Sequence, residues 1–458
     1  MKKYDNYKDS GIEWIGEIPE HWEVKKLNYC FSLIGSGTTP TAGKTEYYNN
    51  GEINWLQTGD LNNSEINETS KKITQKALDD YSTLRFYPVD SIVIAMYGAT
   101  IGKTGLLKIE STTNQACCVL SEPINLNIKF AFYWLNSIKN HIISLSYGGG
   151  QPNINQEQIR SLRIQIPTPS EQTAIANYLD RKTAEIDELI ADKKRLLELY
   201  EEEKTAIINQ AVTKGLNHDY EGLSDDPDFE NQTEIKPSGK SKKSRFRPMK
   251  ESGIEWLGEI PEHWEVKRLK YVVSLNDETL SEKTDEEMHI DYIEIGGLKN
   301  GNIGSTEYRF GNAPSRARRI VRNGDVIVST VRTYLKAIAQ ISDDKDGYIA
   351  STGFAILRPK KIDSKFLGYY SYSPFFIDNT IANSVGVTYP AINASNILEF
   401  PIQIPPIEEQ KAIVHHIEIE CTRIDAKINN TKKLIGLLTE YRTALISEVV
   451  TGKIKVTD

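Results

Sequence analysis

The sequence is poor in cysteine and histidine. Only four of its 458 residues are cysteine (Cys30, Cys117, Cys118 and Cys421), and seven are histidine. Their spacing matches none of the patterns by which cysteine and histidine hold zinc, which excludes the common zinc-binding modules. We therefore expect reduced cysteines, mostly in the core, and no metal site.

Long apolar segments are also missing. Hydrophobic residues make up 39% of the chain, and no apolar run approaches the roughly 20 residues that a helix needs to cross a bilayer. The first six residues, MKKYDN, carry charge, but the apolar segment of a signal peptide does not follow them. These absences predict no membrane contact and a cytoplasmic location.

The chain lacks the excess of basic residues that many DNA-binding proteins have. Lysine and arginine total 55 and aspartate and glutamate total 63, so the formal net charge is −8. Composition alone therefore does not indicate a nucleic-acid partner. Basic residues are nevertheless concentrated between residues 309 and 336, where they can form a basic patch on an acidic chain.

What the chain does contain is two segments that each occur twice. Residues 9–29 are DSGIEWIGEIPEHWEVKKLNY and residues 251–271 are ESGIEWLGEIPEHWEVKRLKY, at an offset of 251 − 9 = 242. The sequence IQIP occurs at residues 164–167 and 402–405, at an offset of 402 − 164 = 238, and a Glu-Gln pair follows each copy. This self-similarity indicates two copies of one structural unit.

The segments between the repeats differ from each other. Residues 30–160 and 272–398 have nearly equal lengths but share only scattered similarity. Two copies of one surface predict docking to two copies of one partner, because matching surfaces make matching contacts. Two dissimilar middle segments predict two different ligands.

The repeats contain four tryptophans. These are Trp14, Trp22, Trp256 and Trp264. Exposed aromatic rings can stack on nucleic-acid bases, but a base-stacking residue would more naturally differ between the two middle segments. We therefore assign the four rings to packing or to subunit docking.

Each half ends in a long segment with heptad periodicity. One row comprises Leu179, Ile186, Lys193, Tyr200 and Ile207; the row 238 residues later comprises Ile417, Ile424, Thr431, Leu438 and Leu445. A heptad stripe with an occasional polar residue is typical of a two-stranded coiled coil. A two-fold relation between the halves predicts antiparallel pairing, with the two domains toward opposite ends of a rod. The alternative is that each helix packs on its own domain.

These patterns predict an α/β (α+β) fold of two mixed domains joined by two long antiparallel helices. The expected boundaries are residues 1–165 (first domain), 166–214 (central helical spacer), 215–250 (charged linker), 251–403 (second domain) and 404–451 (C-terminal helical spacer). Within the first domain, strands are predicted at residues 53–57, 90–96 and 114–120, and a helix at residues 129–145.

A phosphate-binding loop is a rival interpretation of one segment. Residues 97–104, YGATIGKT, follow a predicted strand and resemble a P-loop, but Tyr97 stands where that pattern requires glycine. Lys103 beside a glycine-rich backbone can equally approach a DNA phosphate. No Ser/His/Asp or Cys/His arrangement indicates nucleophilic catalysis, so we predict no catalytic residue.

The repeated SGIEWxGEIPEHWEV segments, the repeated IQIP segments before long helices and the dissimilar middles resemble the specificity subunit of type I restriction-modification systems. The resemblance covers nearly the whole chain. It implies two target-recognition domains, each contacting one half of an asymmetric bipartite site in double-stranded DNA, and two helices that set the gap between the halves. The charged segment 216–249 is longer than the family suggests.

The same resemblance implies a non-catalytic chain that works with partner subunits. Two modification subunits would bind S-adenosylmethionine and methylate adenine, and restriction subunits would use ATP and Mg²⁺; no cofactor is expected in this chain. The alternatives are a P-loop nucleotide-binding enzyme with a coiled-coil arm and an assembly scaffold that never contacts DNA.

Basic and amide side chains are the usual contacts to phosphates and base edges. On charge and motif position, the predicted DNA-binding residues are Lys103 and Gln115 in the first domain and Arg316, Arg318, Arg319, Arg332 and Lys336 in the second. The alternative for each residue is a solvated side chain or a local salt bridge.

Overall fold

The structure is a computed structural model that describes residues 2–146, 153–216, 248–254, 257–299 and 302–457. It divides into two compact units. Unit 1 comprises residues 1–195 and 432–458, and unit 2 comprises residues 196–431. Most of the predicted linker lies outside the described residues, and its end at Met249 and Lys250 belongs to a strand. Every helix in the described ranges is too short or too polar to span a membrane.

Unit 1 combines short strands with helices. Its strands are β1 (Tyr7–Asp9), β2 (Glu17–Pro19), β3 (Glu23–Lys26), β4 (Phe31–Gly35), β5 (Ile53–Leu56), β6 (Ser64–Ile66), β7 (Lys72–Ile73), β8 (Ile92–Ala95), β9 (Thr104–Leu107), β10 (Thr112–Thr113), β11 (Cys117–Pro123) and β12 (Arg163–Ile166). Its helices are α1 (Gln75–Asp80), α2 (Ile128–Ser137), α3 (Lys139–Ser144), α4 (Gln156–Ser161), the first part of α5 (Pro169–Lys214) and the last part of the C-terminal helix α9 (Ile407–Val450).

The main sheet of unit 1 has the strand order β4-β11-β8-β9-β6, antiparallel except between β6 and β9. Strand β8 is buried on both faces. Ile92 and Ile94 pack in the cluster that contains Phe130, whereas Val93 and Ala95 pack in a second cluster with Leu107. Because alternate side chains of a strand point to opposite faces, four consecutive apolar residues suit this position. The three predicted strands are confirmed as β5, β8 and β11.

The prediction of one helix over residues 129–145 is wrong in one respect. The segment forms two helices, α2 and α3, that meet at Ile138. Ile138 has ψ 13°, outside the helical range, and the Ser137 hydroxyl donates to the carbonyl of Trp134. The apolar spacing continues across the break because Ile138 and Ile142 both remain buried.

Unit 2 has the same kind of architecture. Its strands are β13 (Met249–Glu251), β14 (Glu259–Pro261), β15 (Glu265–Arg268), β16 (Val273–Leu275), β17 (His289–Ile293), β18 (Leu298–Lys299), β19 (Asn302–Ile303), β20 (Thr306–Arg309), β21 (Ala317–Ile320), β22 (Val326–Ser329), β23 (Ile338–Gln340), β24 (Ile349–Ser351), β25 (Phe354–Pro359) and β26 (Pro401–Ile404). Its helices are the last part of α5, α6 (Ser364–Ser371), α7 (Pro374–Ala382), α8 (Ala394–Ile397) and the first part of α9 (Ile407–Val450).

The two middle segments share a common sheet. Strands β16-β25-β22-β23 of unit 2 follow the order and antiparallel pairing of β4-β11-β8-β9 in unit 1. The scattered sequence similarity therefore conceals a repeated fold. A buried strand requires apolar side chains of suitable shape rather than particular residues, so IVIA in β8 and VIVS in β22 serve equally well.

The two repeated sequence motifs pair with each other inside each unit. Strand β3, from the first motif, is antiparallel to β12, from the IQIP motif, and β15 pairs with β26 in the same way. The Gln of the Glu-Gln pair continues this connection. Gln172 donates to the Pro167 carbonyl at 3.0 Å and accepts from the Asn127 N–H at 2.6 Å. In unit 2, the Gln410 side chain likewise donates to the Pro405 carbonyl and accepts from the Asp363 N–H.

The long helices α5 and α9 are antiparallel in each unit. In unit 1, Ile175 near the start of α5 shares a core with Val449 near the end of α9. In unit 2, Val212 near the end of α5 shares a core with Ile413 near the start of α9. The predicted antiparallel pairing is therefore confirmed, and the same helical segments also pack on the core of their own unit.

Candidate nucleic-acid interface

A tight turn follows the central strand of each unit. In unit 1 this turn, called turn 1, comprises residues 97–103 and joins β8 to β9 through a 3-10 segment, Gly98–Thr100. The Ala95 N–H donates to the carbonyl of Lys103 at 2.9 Å. In unit 2, turn 2 comprises residues 331–337 and joins β22 to β23, and the Ser329 N–H donates to the carbonyl of Ala337 at 2.8 Å.

Two neighbouring segments meet the start of each turn. In unit 1, the Met96 N–H donates to the carbonyl of Ala116, and the Met96 carbonyl accepts from the N–H of Ile154. In unit 2, the Thr330 N–H donates to the carbonyl of Gly353, and the Thr330 carbonyl accepts from the N–H of Ile392. The equivalent bonds show that both units build the turn from the same three chain segments.

The two predicted residues of the first domain lie beside turn 1. Lys103 is its last residue and is half-buried, and the exposed Gln115 precedes Ala116, which bonds the start of the turn. The Gln115 side chain accepts a hydrogen bond from the Thr39 hydroxyl at 2.6 Å. Lys103 has no ion-pair partner in the described ranges. The backbones of Lys103 and of Ala116, the residue after Gln115, thus bond adjacent positions of the chain, Ala95 and Met96. DNA contact by either predicted residue stays a prediction.

The predicted arginines 316, 318 and 319 lie at β21. The carbonyl of Arg316 accepts from the N–H of Thr352, and the carbonyl of the next residue, Gly353, accepts from Thr330 at the start of turn 2. The Arg316 side chain is exposed. The Arg318 guanidinium lies 4.7 Å from the centroid of the Phe310 ring.

Arg319 is the most enclosed of these arginines. Its Nε is buried and has no hydrogen-bond partner among the described residues. Burial lowers the pKa of Arg319 because desolvation disfavours the charged form. DNA contact by Arg319 stays a prediction.

The remaining two predicted residues, Arg332 and Lys336, are both exposed on turn 2. The Arg332 guanidinium lies 5.1 Å from the ring centroid of Tyr389, a cation–π distance. The backbone N–H of Arg332 donates to the carbonyl of Pro390 at 2.8 Å. Turn 2 and the loop containing Tyr389 thus form one surface.

Other arginines of the basic segment are occupied within the protein. Arg309 pairs with Glu287 at 2.6 Å, and Arg322 pairs with Glu278 at 2.6 Å. Arg358, which lies outside that segment, bridges Glu278 and the buried Asp325. Their charge is neutralised locally, so the predicted DNA-binding residues hold most of the unpaired positive charge in this segment.

The repeated tryptophans have unequal environments. Trp22 and Trp264 are completely buried, so they pack in the cores and present no surface to a partner. Trp14 is partly exposed and stacks on His141 with ring centroids 4.4 Å apart. Trp256 lies outside the described residues.

Sequence reasoning missed two sets of exposed aromatic residues. Tyr29 and Tyr271, the last residues of the first repeat, are 68% and 62% exposed. Their signal was available, since an aromatic residue that recurs in both copies must be either buried or in contact with something else. Tyr389 had no such signal, because only the tertiary fold places its loop beside turn 2.

The geometry does not support the P-loop interpretation. A P-loop lies between a strand and the N-terminus of an α-helix, whose backbone N–H groups bind phosphate. Residue Lys103 is followed by strand β9, and the Thr104 hydroxyl donates to Asn136 at 2.7 Å. Turn 1 therefore lacks the helix that such a loop requires.

Comparison with known proteins identifies one family model that matches both units. Its description is "Type I restriction modification DNA specificity domain", and it matches residues 19–199 and 261–436. The chain is 24% identical over 451 residues to the type I restriction enzyme MjaIX specificity subunit of Methanocaldococcus jannaschii, covering 96% of this chain and 95% of that protein. It is 23% identical over 419 residues to the EcoDI specificity subunit of Escherichia coli, covering 89% and 88%.

Two solved structures share the fold. One, described as "Structural basis underlying complex assembly and conformational transition of the type I R-M system", has a TM-score of 0.66 at 15% identity, covering 95% of this chain and 99% of that chain. The other is the HsdS subunit from Thermoanaerobacter tengcongensis, with a TM-score of 0.52 at 14% identity, covering 95% and 98%.

Proposed function

Because this chain belongs to the type I restriction modification DNA specificity family, we propose that it recognises a two-part DNA site, with one part contacted by each unit. The family resemblance inferred from the repeats is confirmed. The chain is a non-catalytic DNA-recognition subunit of a type I restriction-modification system. The two-part proposal rests on one observation: both units contain the same turn, with different side chains on it.

The chemistry of the two turns supports different base preferences. Phosphate contacts from lysine and arginine orient a protein on DNA, and base-edge contacts from arginine or amide side chains give sequence specificity. Turn 1 lies beside an exposed amide, Gln115, which suits adenine. Turn 2 carries Arg332, and its guanidinium suits guanine.

The proposal can be tested by selecting duplexes from a random-sequence DNA pool with the purified full chain and sequencing them. We expect two short conserved blocks separated by unspecified base pairs. Replacing residues 272–398 with the corresponding segment of another family member should change one block and leave the other unchanged. A single uninterrupted block, or a change in both blocks, would contradict independent recognition by the two units.

We also propose that two modification subunits dock on the repeated surface. Buried repeated residues such as Trp22 and Trp264 are explained by the fold. The exposed repeated residues Tyr29 and Tyr271 have no such role, and equal surfaces favour equal partners. Restriction subunits are a further expected partner, as the names of the relatives suggest.

S-adenosylmethionine, ATP and Mg²⁺ are proposed as cofactors of those partners. The described residues contain no group of three or more His, Cys, Asp or Glu side chains that could hold a metal ion. Turn 1 also lacks the helix that a nucleotide-binding loop requires. That this chain itself binds no cofactor stays a prediction. A cytoplasmic location without membrane contact stays a prediction.

A scaffold that never contacts DNA is the remaining alternative. Substituting Arg316, Arg318 and Arg319 by glutamine distinguishes the two roles, because a scaffold should be indifferent to the loss of these charges. For a DNA-recognition subunit, we expect weaker binding and a changed preference in one block only.

A further inference from the structure

Few non-glycine residues of the protein have a left-handed backbone. In the described ranges these are Asn50, Asn63, Asp90, Glu122, Asn125, Asn276, Arg332 and Lys336. Five of them are Asn or Asp, which tolerate this conformation because their short side chains can bond the local backbone. Of the other three, two lie in turn 2, with φ 52° at Arg332 and φ 51° at Lys336.

The equivalent positions of turn 1 are glycines. The bond from Ala95 to Lys103 corresponds to that from Ser329 to Ala337, at an offset of 329 − 95 = 337 − 103 = 234. The same offset relates Gly98 to Arg332 and Gly102 to Lys336. Gly98 and Gly102 have φ 66° and 74°. Both units therefore require left-handed backbone at these two places, and unit 1 uses the residue that adopts it without strain.

Neither burial nor ion pairing explains the side chains of turn 2. Arg332 and Lys336 are exposed, and neither has an ion-pair partner among the described residues. Turn 1 differs, because a side chain at Gly102 would be crowded: its Cβ would lie 3.3 Å from Lys139 Cγ. Unit 2 thus keeps two long cationic side chains where glycine would be the less strained choice. Strained residues of this kind persist where the side chain has a function.

The loop beside turn 2 exposes apolar groups as well. Val387 is fully exposed and Tyr389 is 63% exposed. The bridge between Val331 and Ala391 holds this loop against the turn, and the bridge between Val385 and Ala391 closes the loop. The Thr333 hydroxyl bonds that of Ser384 at 2.8 Å. A surface that combines unpaired cations with exposed apolar side chains matches a DNA groove, which offers phosphates and thymine methyl groups.

We propose that Arg332 and Lys336 are the principal DNA contacts of unit 2, with Arg332 on a guanine edge and Lys336 on a phosphate. The proposal deepens the proposed function and rests on it. The Tyr389 ring orients the planar Arg332 guanidinium, which donates two parallel hydrogen bonds to guanine O6 and N7. Lys336, four residues later, has no ion-pair or cation–π partner among the described residues and supplies a point charge.

The test compares Arg332→Gly and Lys336→Gly in the full chain. The probes are a duplex selected by the wild-type chain and a random-sequence duplex, measured by fluorescence anisotropy over a range of salt concentrations. We expect Arg332→Gly to weaken binding to the selected duplex roughly 5- to 150-fold, from about 1–3 kcal/mol of base discrimination. It should also remove the preference for one guanine in the block recognised by unit 2.

The expected effect of Lys336→Gly is different. It should weaken binding to both probes about equally, and the slope of log affinity against log salt should fall by about 1. Both glycine variants should have thermal unfolding midpoints at or above that of the wild type, because glycine relieves the left-handed strain. Lower midpoints would instead assign these side chains to the fold and overturn the proposal.

Matched variants separate the specific effects from loss of charge. Lys361→Gln removes one exposed positive charge outside turn 2 and should change neither the preferred sequence nor the salt slope by a full unit. Arg332→Lys keeps the charge but loses the planar fork, so it should keep the salt slope and lose the guanine preference. Wild-type affinity and sequence preference in both glycine variants would overturn the proposal while leaving the two-part function standing. Absence of DNA binding by the wild-type chain would instead overturn the function itself.

Discussion

The Nε2 atom of His21 lies 2.9 Å from Oε1 of Glu171, joining the first repeated motif to the start of the long helix α5. The second copy repeats the contact, with 2.6 Å between His263 Nε2 and Glu409 Oε2. Glu171 also accepts from the Thr168 N–H and hydroxyl, which caps the helix. The repeated Pro-Glu-His-Trp and Glu-Gln motifs are thus two halves of one structural connection.

Substitution Glu171→Gln should destabilise unit 1. Burial raises the pKa of Glu171, but hydrogen bonds from His21 and Thr168 outweigh burial and hold the pKa below its ordinary value. We expect a loss of about 1–3 kcal/mol in the free energy of unfolding at pH 7, typical for hydrogen bonds to a charged group. Urea unfolding measures it, with the exposed Ser170→Ala as the control; equal stability of the two variants would contradict the connection.

The carboxylate of Glu278 should make stability depend on pH. Hydrogen bonds from Arg322 and then Arg358, against some desolvation, lower the pKa of Glu278 from 4.5 to about 2. A lowered folded-state pKa means that the contribution is present above the unfolded-state value near 4.5 and is lost as pH falls toward 2.

We therefore expect Glu278→Gln to lower stability near neutral pH by roughly 1 kcal/mol, a modest value because the side chain is partly exposed to solvent. The difference from wild type should shrink between pH 4.5 and pH 2. Thermal unfolding across pH measures this trend, with the exposed Glu282→Gln as the charge-matched control. A difference that stays constant down to pH 2 would show that the ion pairs are not its cause.

Tyr29 and Tyr271 should each anchor one partner subunit. Replacing an interface tyrosine by alanine often weakens binding tenfold or more, about 1.4 kcal/mol or above. Tyr29→Ala or Tyr271→Ala should reduce the light-scattering mass of the reconstituted complex by one modification subunit at limiting concentration, and the double variant by two. The exposed helix residue Tyr441 offers the control, as Tyr441→Ala. Unchanged stoichiometry in the double variant would exclude this docking surface.

The heptad stripe predicts that helix length sets the spacing between the two parts of the site. Duplicating residues 189–195 of α5 together with residues 433–439 of α9 adds one heptad to both paired helices, about 10 Å. We expect the selected sites to gain about three unspecified base pairs, at ~3.4 Å each, and to keep both sequence blocks. Duplicating the α5 heptad alone should destabilise the protein by mismatching the pair. A matched insertion that altered either block would contradict the prediction.

Much of the fold was accessible from sequence because its signals are local or repeated. The heptad rows predicted α5 and α9, an apolar, β-branched run predicted β8, and a second apolar run predicted β11. The break between α2 and α3 was missed because Ile138 keeps the apolar spacing of a continuous helix. The common sheet of the two middle segments was hidden, since different apolar residues can fill equivalent strand positions.

The candidate site, too, was only partly predictable from the sequence. The sequence by itself determined the duplication, the paired helices and the family, because each depends on residue identity at fixed intervals. Only the tertiary structure decided which charges are unpaired: it neutralises Arg309 and Arg322 and leaves Arg332 and Lys336 exposed on a left-handed turn beside Tyr389. Ion pairing and backbone conformation depend on neighbours that are distant in the chain, and no pattern of adjacent residues specifies them.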